Sequence, residues 1–286
     1  LTSATTATTA NNVRIDSNIV MGGYYTISMA GAAGTPVQNI QVTNNQIRDS
    51  YIYSVYTLQA QNVLIENNNI SRPSRTTITT FYGVFNSTGA RGVKVSKNRI
   101  HTTNGPGASS TSYAVYGVYF SGAAGDSLVP NVVSNNMLYN LNTLTGSIYG
   151  IYVTGGTHVY VLHNTGVYDF AASTAGLVYA NYFLGTGSGH RFQNNIVYVS
   201  RGGTGTKYCL YISGASNVPV SNNNVLTMLS TGGTNGVGYY TTGFTSLANW
   251  QTANAGAFDQ NSVSIDPQFV NAASFDFTPS DFRVNN

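Results

Sequence analysis

Apolar and polar positions recur along this chain in a six-residue frame: apolar, any residue, two polar residues that are often Asn-Asn, any residue, apolar. The frame appears as Val42-Thr43-Asn44-Asn45-Gln46-Ile47, Ile65-Glu66-Asn67-Asn68-Asn69-Ile70, Val95-Ser96-Lys97-Asn98-Arg99-Ile100 and Val133-Ser134-Asn135-Asn136-Met137-Leu138. It returns as Phe192-Gln193-Asn194-Asn195-Ile196-Val197 and Val220-Ser221-Asn222-Asn223-Asn224-Val225, with looser copies at Ile15 and near Val161. The mean period is about 29 residues. The apolar positions inside each copy alternate, as in Val93/Val95 and Val159/Val161, which predicts short strands rather than helices.

A second pattern keeps the same period out of phase: Tyr, small, aliphatic, aromatic. Its copies are Tyr53-Ser54-Val55-Tyr56, Tyr82-Gly83-Val84-Phe85, Tyr116-Gly117-Val118-Tyr119, Tyr149-Gly150-Ile151-Tyr152 and Tyr208-Cys209-Leu210-Tyr211, with degenerate members at Tyr25 and Tyr179. A unit of this size with two or three strands cannot bury its apolar face alone, so units must stack. The expected fold is all-β: a right-handed parallel β-helix of about eight coils, rising about 4.8 Å per coil. Residues 1–243 form the β-helix and residues 244–286 a C-terminal cap continuous with it. Ser246 is placed as a helix N-cap, and Trp250 is expected to cover the apolar end of the last coil.

The second residue of each polar pair (Asn45, Asn68, Asn98, Asn136, Asn164, Asn195, Asn223) is expected at a turn, where Asn tolerates left-handed backbone and its amide can bond to the next coil. Cys209 fills a slot occupied elsewhere by Ser54, Gly83, Gly117, Gly150 and Ala180, and is read as a small packing residue. If Val55, Val84, Val118, Ile151 and Leu210 face inward, alternation sends Tyr56, Phe85, Tyr119, Tyr152 and Tyr211 outward, beside small residues that would leave the rings unshielded. Such a column is a candidate platform for sugar rings or for another protein chain.

Composition narrows the function. Charged residues make up only 7% of the 286, aromatic residues 12%, and the formal charge is +3. Disorder is excluded by the aromatic and apolar content, and no basic run suggests nucleic acid. No apolar stretch is long enough to span a membrane as a helix. Little charge with abundant Asn, Thr and Tyr fits an extracellular or cell-surface protein, and the Thr-rich start after Leu1 suggests a chain numbered after processing or from within a longer one. One cysteine permits no intrachain disulfide, and no cofactor or metal site is expected.

With the Asn-Asn turns and the YGVY/YGIY strands in view, the chain resembles the right-handed parallel β-helix proteins of the pectate-lyase-like superfamily from about Val13 to Val225. The tail, Ser246-Leu247-Ala248-Asn249-Trp250-Gln251, then Asn261-Ser262 through Asp266-Pro267-Gln268-Phe269-Val270, then Asp276-Phe277, is similar to a segment of bacterial secreted and surface β-helix proteins. That resemblance implies an adhesin-like or carbohydrate-binding role, or membership among the lyases, hydrolases and epimerases of the superfamily. The catalytic alternative finds little support in the residues. Asp16, Asp49, Glu66, Asp126 and Asp169 fall in different units, so none makes the carboxylate pair that glycoside hydrolysis needs, and no acidic cluster would hold calcium. His158 and His163, five apart, do not share a strand face.

Six of the twelve basic residues fall within 28 positions: Arg72, Arg75, Arg91, Lys94, Lys97 and Arg99. They are candidate contacts for uronate or sulfate groups. The sequence therefore points to an extracellular β-helix that binds a polysaccharide or surface glycan, or other surface protein chains, through the aromatic column and this patch. A polysaccharide lyase or hydrolase acting on an acidic glycan, its residues supplied by loops such as 102–112, is one alternative; a structural stalk or filament subunit is another.

Overall fold

A computed structural model describes residues 10–110, 112–267 and 269. The chain winds through three parallel sheets in turn. The first sheet has eight strands, from Arg14–Asp16 to Val220–Asn222. Eight more, from Ile19–Met21 to Val225–Met228, make the second. The third has eight parallel strands, from Tyr25–Ala30 to Asn235–Tyr240, plus the antiparallel strand Thr242–Phe244. Each strand pairs with its equivalent one coil away, as in Ile65 with Val95 and Tyr82 with Tyr116. This is the expected solenoid of about eight coils, and its core is a set of inward columns such as Val42, Ile65, Val95, Val133, Val161 and Phe192.

Two residues make the corner between the first and second sheets, and they divide the labour. The first of each polar pair takes the left-handed backbone: Asn44, Asn67, Lys97, Asn135, His163, Asn194 and Asn223 all have φ between 55° and 59°. The second points inward and builds the ladder. Asn45 donates its backbone N–H and its Nδ2 to Asn68 Oδ1, both at 3.0 Å, and its Nδ2 also reaches Ile15 O at 2.9 Å. The pattern repeats through Asn98, Asn136, Asn164 and Asn195. The amides thus close the hydrogen bonds of a buried bend that no strand can satisfy.

Two expectations are corrected here. Left-handed backbone belongs to the first residue of the pair, not the second. The last ladder residue is Asn224 rather than Asn223: Asn195 N–H donates to Asn224 Oδ1 at 2.9 Å, because Val220 pairs with Arg191 and the frame has slipped by one. Val220 is left 60% exposed and Ser221 takes the inward place held one coil earlier by Phe192.

A short helix, Leu247–Gln251, closes the end of the rod, with the Ser246 side chain accepting from Asn249 N–H as its N-cap. Trp250 is wholly buried over Gly238, stacked on Phe258 at 4.5 Å. Val263 then bridges Val225 at the edge of the second sheet. Of the tail motif, Gln268, Val270, Asp276 and Phe277 lie outside the described residues.

Candidate functional site

The third sheet carries the candidate surface. Its strands do not alternate simply. In Phe81–Asn86 the buried residues are Phe81, Gly83, Val84 and Asn86, while Tyr82 and Phe85 face out three positions apart. The small residue sits at the bend and points inward, because there is no room for more: a Cβ on Gly83 would lie 2.8 Å from Ile100 Cγ2, and one on Gly117 would lie 2.3 Å from Leu138 Cδ2. The expected outward small residue is therefore an inward one, and both outward places are aromatic. Cys209 fits the same slot; it is buried, and burial pushes its thiol pKa up.

Two adjacent aromatic columns result. One runs Tyr25, Tyr53, Tyr82, Tyr116, Tyr149, Tyr179, Tyr208; the other runs Tyr56, Phe85, Tyr119, Tyr152, Tyr182, Tyr211, Tyr239. Ring centroids in the first column are 4.7 Å (Tyr25–Tyr53), 4.7 Å (Tyr53–Tyr82), 4.6 Å (Tyr82–Tyr116) and 4.8 Å (Tyr116–Tyr149) apart, with planes within 15°. The second column stacks likewise from Phe85 through Tyr119 and Tyr152 to Tyr182, at 4.6, 4.6 and 4.8 Å. Neighbouring columns touch, as Tyr116 and Tyr119 do at 5.5 Å. The stack breaks at Tyr149/Tyr179 (75°) and Tyr182/Tyr211 (81°), then resumes at 4.0 Å in Tyr179–Tyr211 and 4.2 Å in Tyr211–Tyr239.

Stacking of this kind hides ring faces between neighbours and presents ring edges and hydroxyls to solvent. The phenols respond to it. Partial burial, reinforced by neighbouring phenols, raises the pKa values of Tyr53 and Tyr116 to about 12, and those of Tyr82 and Tyr152 are pushed up as well. The face therefore stays neutral across the physiological range. The eight parallel strands contain no Asp, Glu, His or Arg, and their single Lys, Lys207, is buried.

Loops and extended strands flank this face in the middle coils. The loops before the strands Val115–Ala124 and Ile148–Thr157 border a groove of about 530 Å³, lined among others by Thr103, Asn104, Pro106, Tyr113, Asn142 and Phe170. Tyr113 OH donates to Asn104 Oδ1 at 2.7 Å. On the other side three strands lengthen to ten or eleven residues (Val115–Ala124, Ile148–Thr157, Val178–Ser188), and Thr154 Oγ1 donates to Tyr119 OH at 3.0 Å.

The basic residues do not gather on one face. Lys94 projects from the first sheet and is exposed, Lys97 sits at the corner and pairs with Glu66 at 3.2 Å, and Arg99 lies on the second sheet. Arg91 pairs with Asp126 at 2.7 Å. Arg75 lies over the Tyr51 ring at 4.8 Å and bonds to Asp49 O at 3.0 Å. Arg72 is corrected outright: it is wholly buried, donating to Thr103 O at 2.6 Å and to Tyr51 O and Thr79 O at 3.1 Å, over the Phe81 ring. Sequence reasoning missed two further buried cations. Arg201 donates to the carbonyls of Leu177, Thr143 and Gly146, and Lys207 to those of Gly203, Gly205 and Gly232. Burial lowers the pKa values of Arg72 and Arg201 to about 10. All three cations tie loop backbones together through carbonyls.

Acid–base and metal chemistry find few footholds. Asp49 accepts from Ser74 N–H (3.0 Å), Ser74 Oγ (2.6 Å) and Arg75 N–H (3.0 Å), which satisfies a turn. His101 stacks on Tyr139 at 4.7 Å and shares a hydrogen bond with Asn69 Oδ1 at 2.7 Å. His190 Nδ1 accepts from Val159 N–H at 3.1 Å, which places the proton of the neutral ring on Nε2. Burial depresses both histidine pKa values to about 4. His158 and His163 hold left-handed turns. Among the described residues no group of three or more His, Cys, Asp or Glu could hold a metal ion.

Architecture and site together define a class: a parallel β-solenoid with one uncharged aromatic face. A family model for the right-handed β-helix region matches residues 2–166, more than half of the chain, and the protein belongs to that family. Searches of curated proteins and of solved structures gave no match.

Proposed function

We propose that the protein is an extracellular or cell-surface β-helix scaffold, adhesin-like, that binds a polysaccharide or surface glycan along the third sheet. One observation carries this reading: a continuous strip of aromatic edges and hydroxyls with no ionisable acid or imidazole among its strands. Such a surface supports binding by apolar contact and hydrogen bonds, while general acid–base work needs a titratable group within reach of the reacting atoms. The groove beside Tyr113 offers a polar margin where a chain lying on the strip can be gripped. Lys94 stands exposed on the first sheet, apart from the strip, so contacts to acidic groups there would be separate from those of the aromatic columns.

Affinity electrophoresis through gels cast with acidic and neutral polysaccharides tests this, run alongside Tyr119→Ala/Tyr152→Ala. Retardation lost in the variant, with no clearing of the polysaccharide, is the expected result. Clearing would make the protein an enzyme, and absence of retardation in every gel would leave a structural stalk.

A further inference from the structure

The aromatic columns form a continuous chain of ring contacts over the length of the rod, and this has a chemical consequence independent of glycan binding. Column one links Tyr25 to Tyr149 through four stacked contacts of 4.6–4.8 Å. From there Tyr149 touches Tyr152 at 5.3 Å and Tyr182 at 6.0 Å, and Tyr182 touches Tyr179 at 5.1 Å, which stacks on Tyr211 at 4.0 Å. Column two has one residue without a hydroxyl, Phe85, but Tyr82 and Tyr116 bypass that rung at 4.6 Å. At the first coil the chain of contacts ends on Tyr24, which lies 5.0 Å from Tyr25 and is 50% exposed.

We propose that the double ladder carries one-electron oxidising equivalents along the rod and delivers them at Tyr24, making Tyr24 a site of oxidative tyrosine coupling between molecules. The initiating step needs a one-electron oxidant of the photogenerated ruthenium(III) or peroxidase ferryl class. One phenol gives an electron to the oxidant and its proton to water, leaving a neutral phenoxyl radical. In each hop the next phenol gives an electron to that radical and a proton to water, and the first ring regains a proton from water. Each tyrosine along this path is partly exposed, which gives its ring access to water for this exchange. When two Tyr24 radicals from two molecules meet, their ortho carbons form a C–C bond and each ring rearomatises by moving its ortho proton to the phenol oxygen. The sum is two tyrosines giving one dityrosine, two protons to water and two electrons to the oxidant.

The test attaches a ruthenium photosensitiser to Ala215→Cys, an exposed position in the turn after the strand Lys207–Ile212; the native Cys209 is buried and does not compete for the label. A cobalt(III) ammine serves as irreversible electron acceptor. Six coils, roughly 29 Å, separate the Tyr211 rung from the Tyr25 rung, too far for a single tunnelling step. Illumination is expected to give covalent dimers whose dityrosine maps to Tyr24, reduced at least tenfold in Tyr24→Phe and in Tyr116→Leu/Tyr119→Leu. Oxidation confined to Tyr182, Tyr211 and Tyr239 would overturn the proposal. So would an undiminished Tyr24 yield in the interrupted ladder, which would mean that oxidant reaches it through solution. If the double variant does not fold, the unlabelled parent with the free ruthenium complex at the same concentration decides it: a Tyr24 dityrosine yield equal to that of the labelled protein would overturn the proposal.

Discussion

The indole Nε1 of Trp250 donates to Asp259 Oδ2 at 2.8 Å, so the only tryptophan of the chain is fastened to a carboxylate that is itself wholly buried. The same carboxylate accepts from Ser221 Oγ and Ser262 Oγ at 2.6 Å and from Asn224 Nδ2 at 2.8 Å. Asp259 thus joins the cap, the slipped last strand of the first sheet and the end of the asparagine ladder in one knot.

Replacing that knot tests it directly. Asp259→Ala leaves the Trp250 indole N–H and the Ser221 and Ser262 hydroxyls without this acceptor and takes one acceptor from Asn224 Nδ2, which keeps Phe192 O at 3.0 Å, at a cost of about 2–4 kcal/mol. Urea denaturation should show the loss. Asp259→Asn, which keeps one acceptor oxygen, is expected to lose less, and equal stability of the parent and the alanine variant would show that the cap does not depend on this residue.

The ladder makes a contrast available at adjacent positions. Asn136→Ala removes the oxygen that accepts from Asn98 N–H and Asn98 Nδ2 at 3.0 Å, and the Nδ2 that reaches Val95 O at 2.8 Å. A loss of about 2–4 kcal/mol is expected. Asn135→Gly, at the exposed left-handed corner with φ of 56°, should change stability by less than about 0.5 kcal/mol, because glycine adopts that backbone freely. Thermal melts of the pair should differ by several degrees.

The bend in the third sheet predicts intolerance of even one methyl group. Gly117→Ala places its Cβ 2.3 Å from Leu138 Cδ2 and 2.5 Å from Gly150 O, and overpacking there should cost about 1–3 kcal/mol. Cys209→Ala fills the equivalent slot with less volume and is expected to be milder. Calorimetry of the two variants would rank them.

Acid should weaken the fold through its two buried imidazoles. His101 and His190 have folded pKa values near 4 against 6.5 in an unfolded chain, chiefly through burial. Between those values the unfolded state binds more protons, so stability is full above pH 6.5 and falls as pH drops toward 4. Asp16, held low by hydrogen bonds from Thr43 and Asn44, and Asp126, held low by Arg91, add their losses only below about their ordinary 3.8. Denaturation midpoints measured from pH 7 to pH 4 should decline, and the decline should flatten in His101→Gln/His190→Gln. A flat parent profile would contradict the buried neutral imidazoles.

The repeat was legible because one physical demand, closing a buried two-residue corner, is met in every coil by the same side chain. Where several asparagines run together, as at Asn222-Asn223-Asn224, the pattern does not tell which of them turns inward; the pairing of Val220 with Arg191 does. The outward place of Tyr56, Tyr119 and Tyr152 follows from alternation, but alternation fails at the bend, so nothing in the pattern marks Tyr82, Tyr116 and Tyr149 as a second outward column. Arg72, Arg201 and Lys207 are illegible as buried cations, since their acceptors are backbone carbonyls, some in the same loop and some in neighbouring coils, and a carbonyl carries no sequence signature. Asp259 is hidden for a similar reason: its side-chain partners lie on three separate stretches, Ser221 with Asn224, Trp250, and Ser262.

The asparagine ladder has a direction. Each coil offers a backbone N–H that only the next coil toward the cap can receive, and the last is received by Ser262 Oγ at 2.8 Å. Every corner N–H is therefore received by its successor, while the Nδ2 of the same residue also reaches back to a carbonyl of the coil before it, as Asn136 does to Val95 O, and one end of the series is closed by chemistry of its own. A rod built this way is vectorial: a completed coil already holds out the amide oxygen that receives the corner N–H of the preceding one, so order should spread more readily from the closed end toward the first coil.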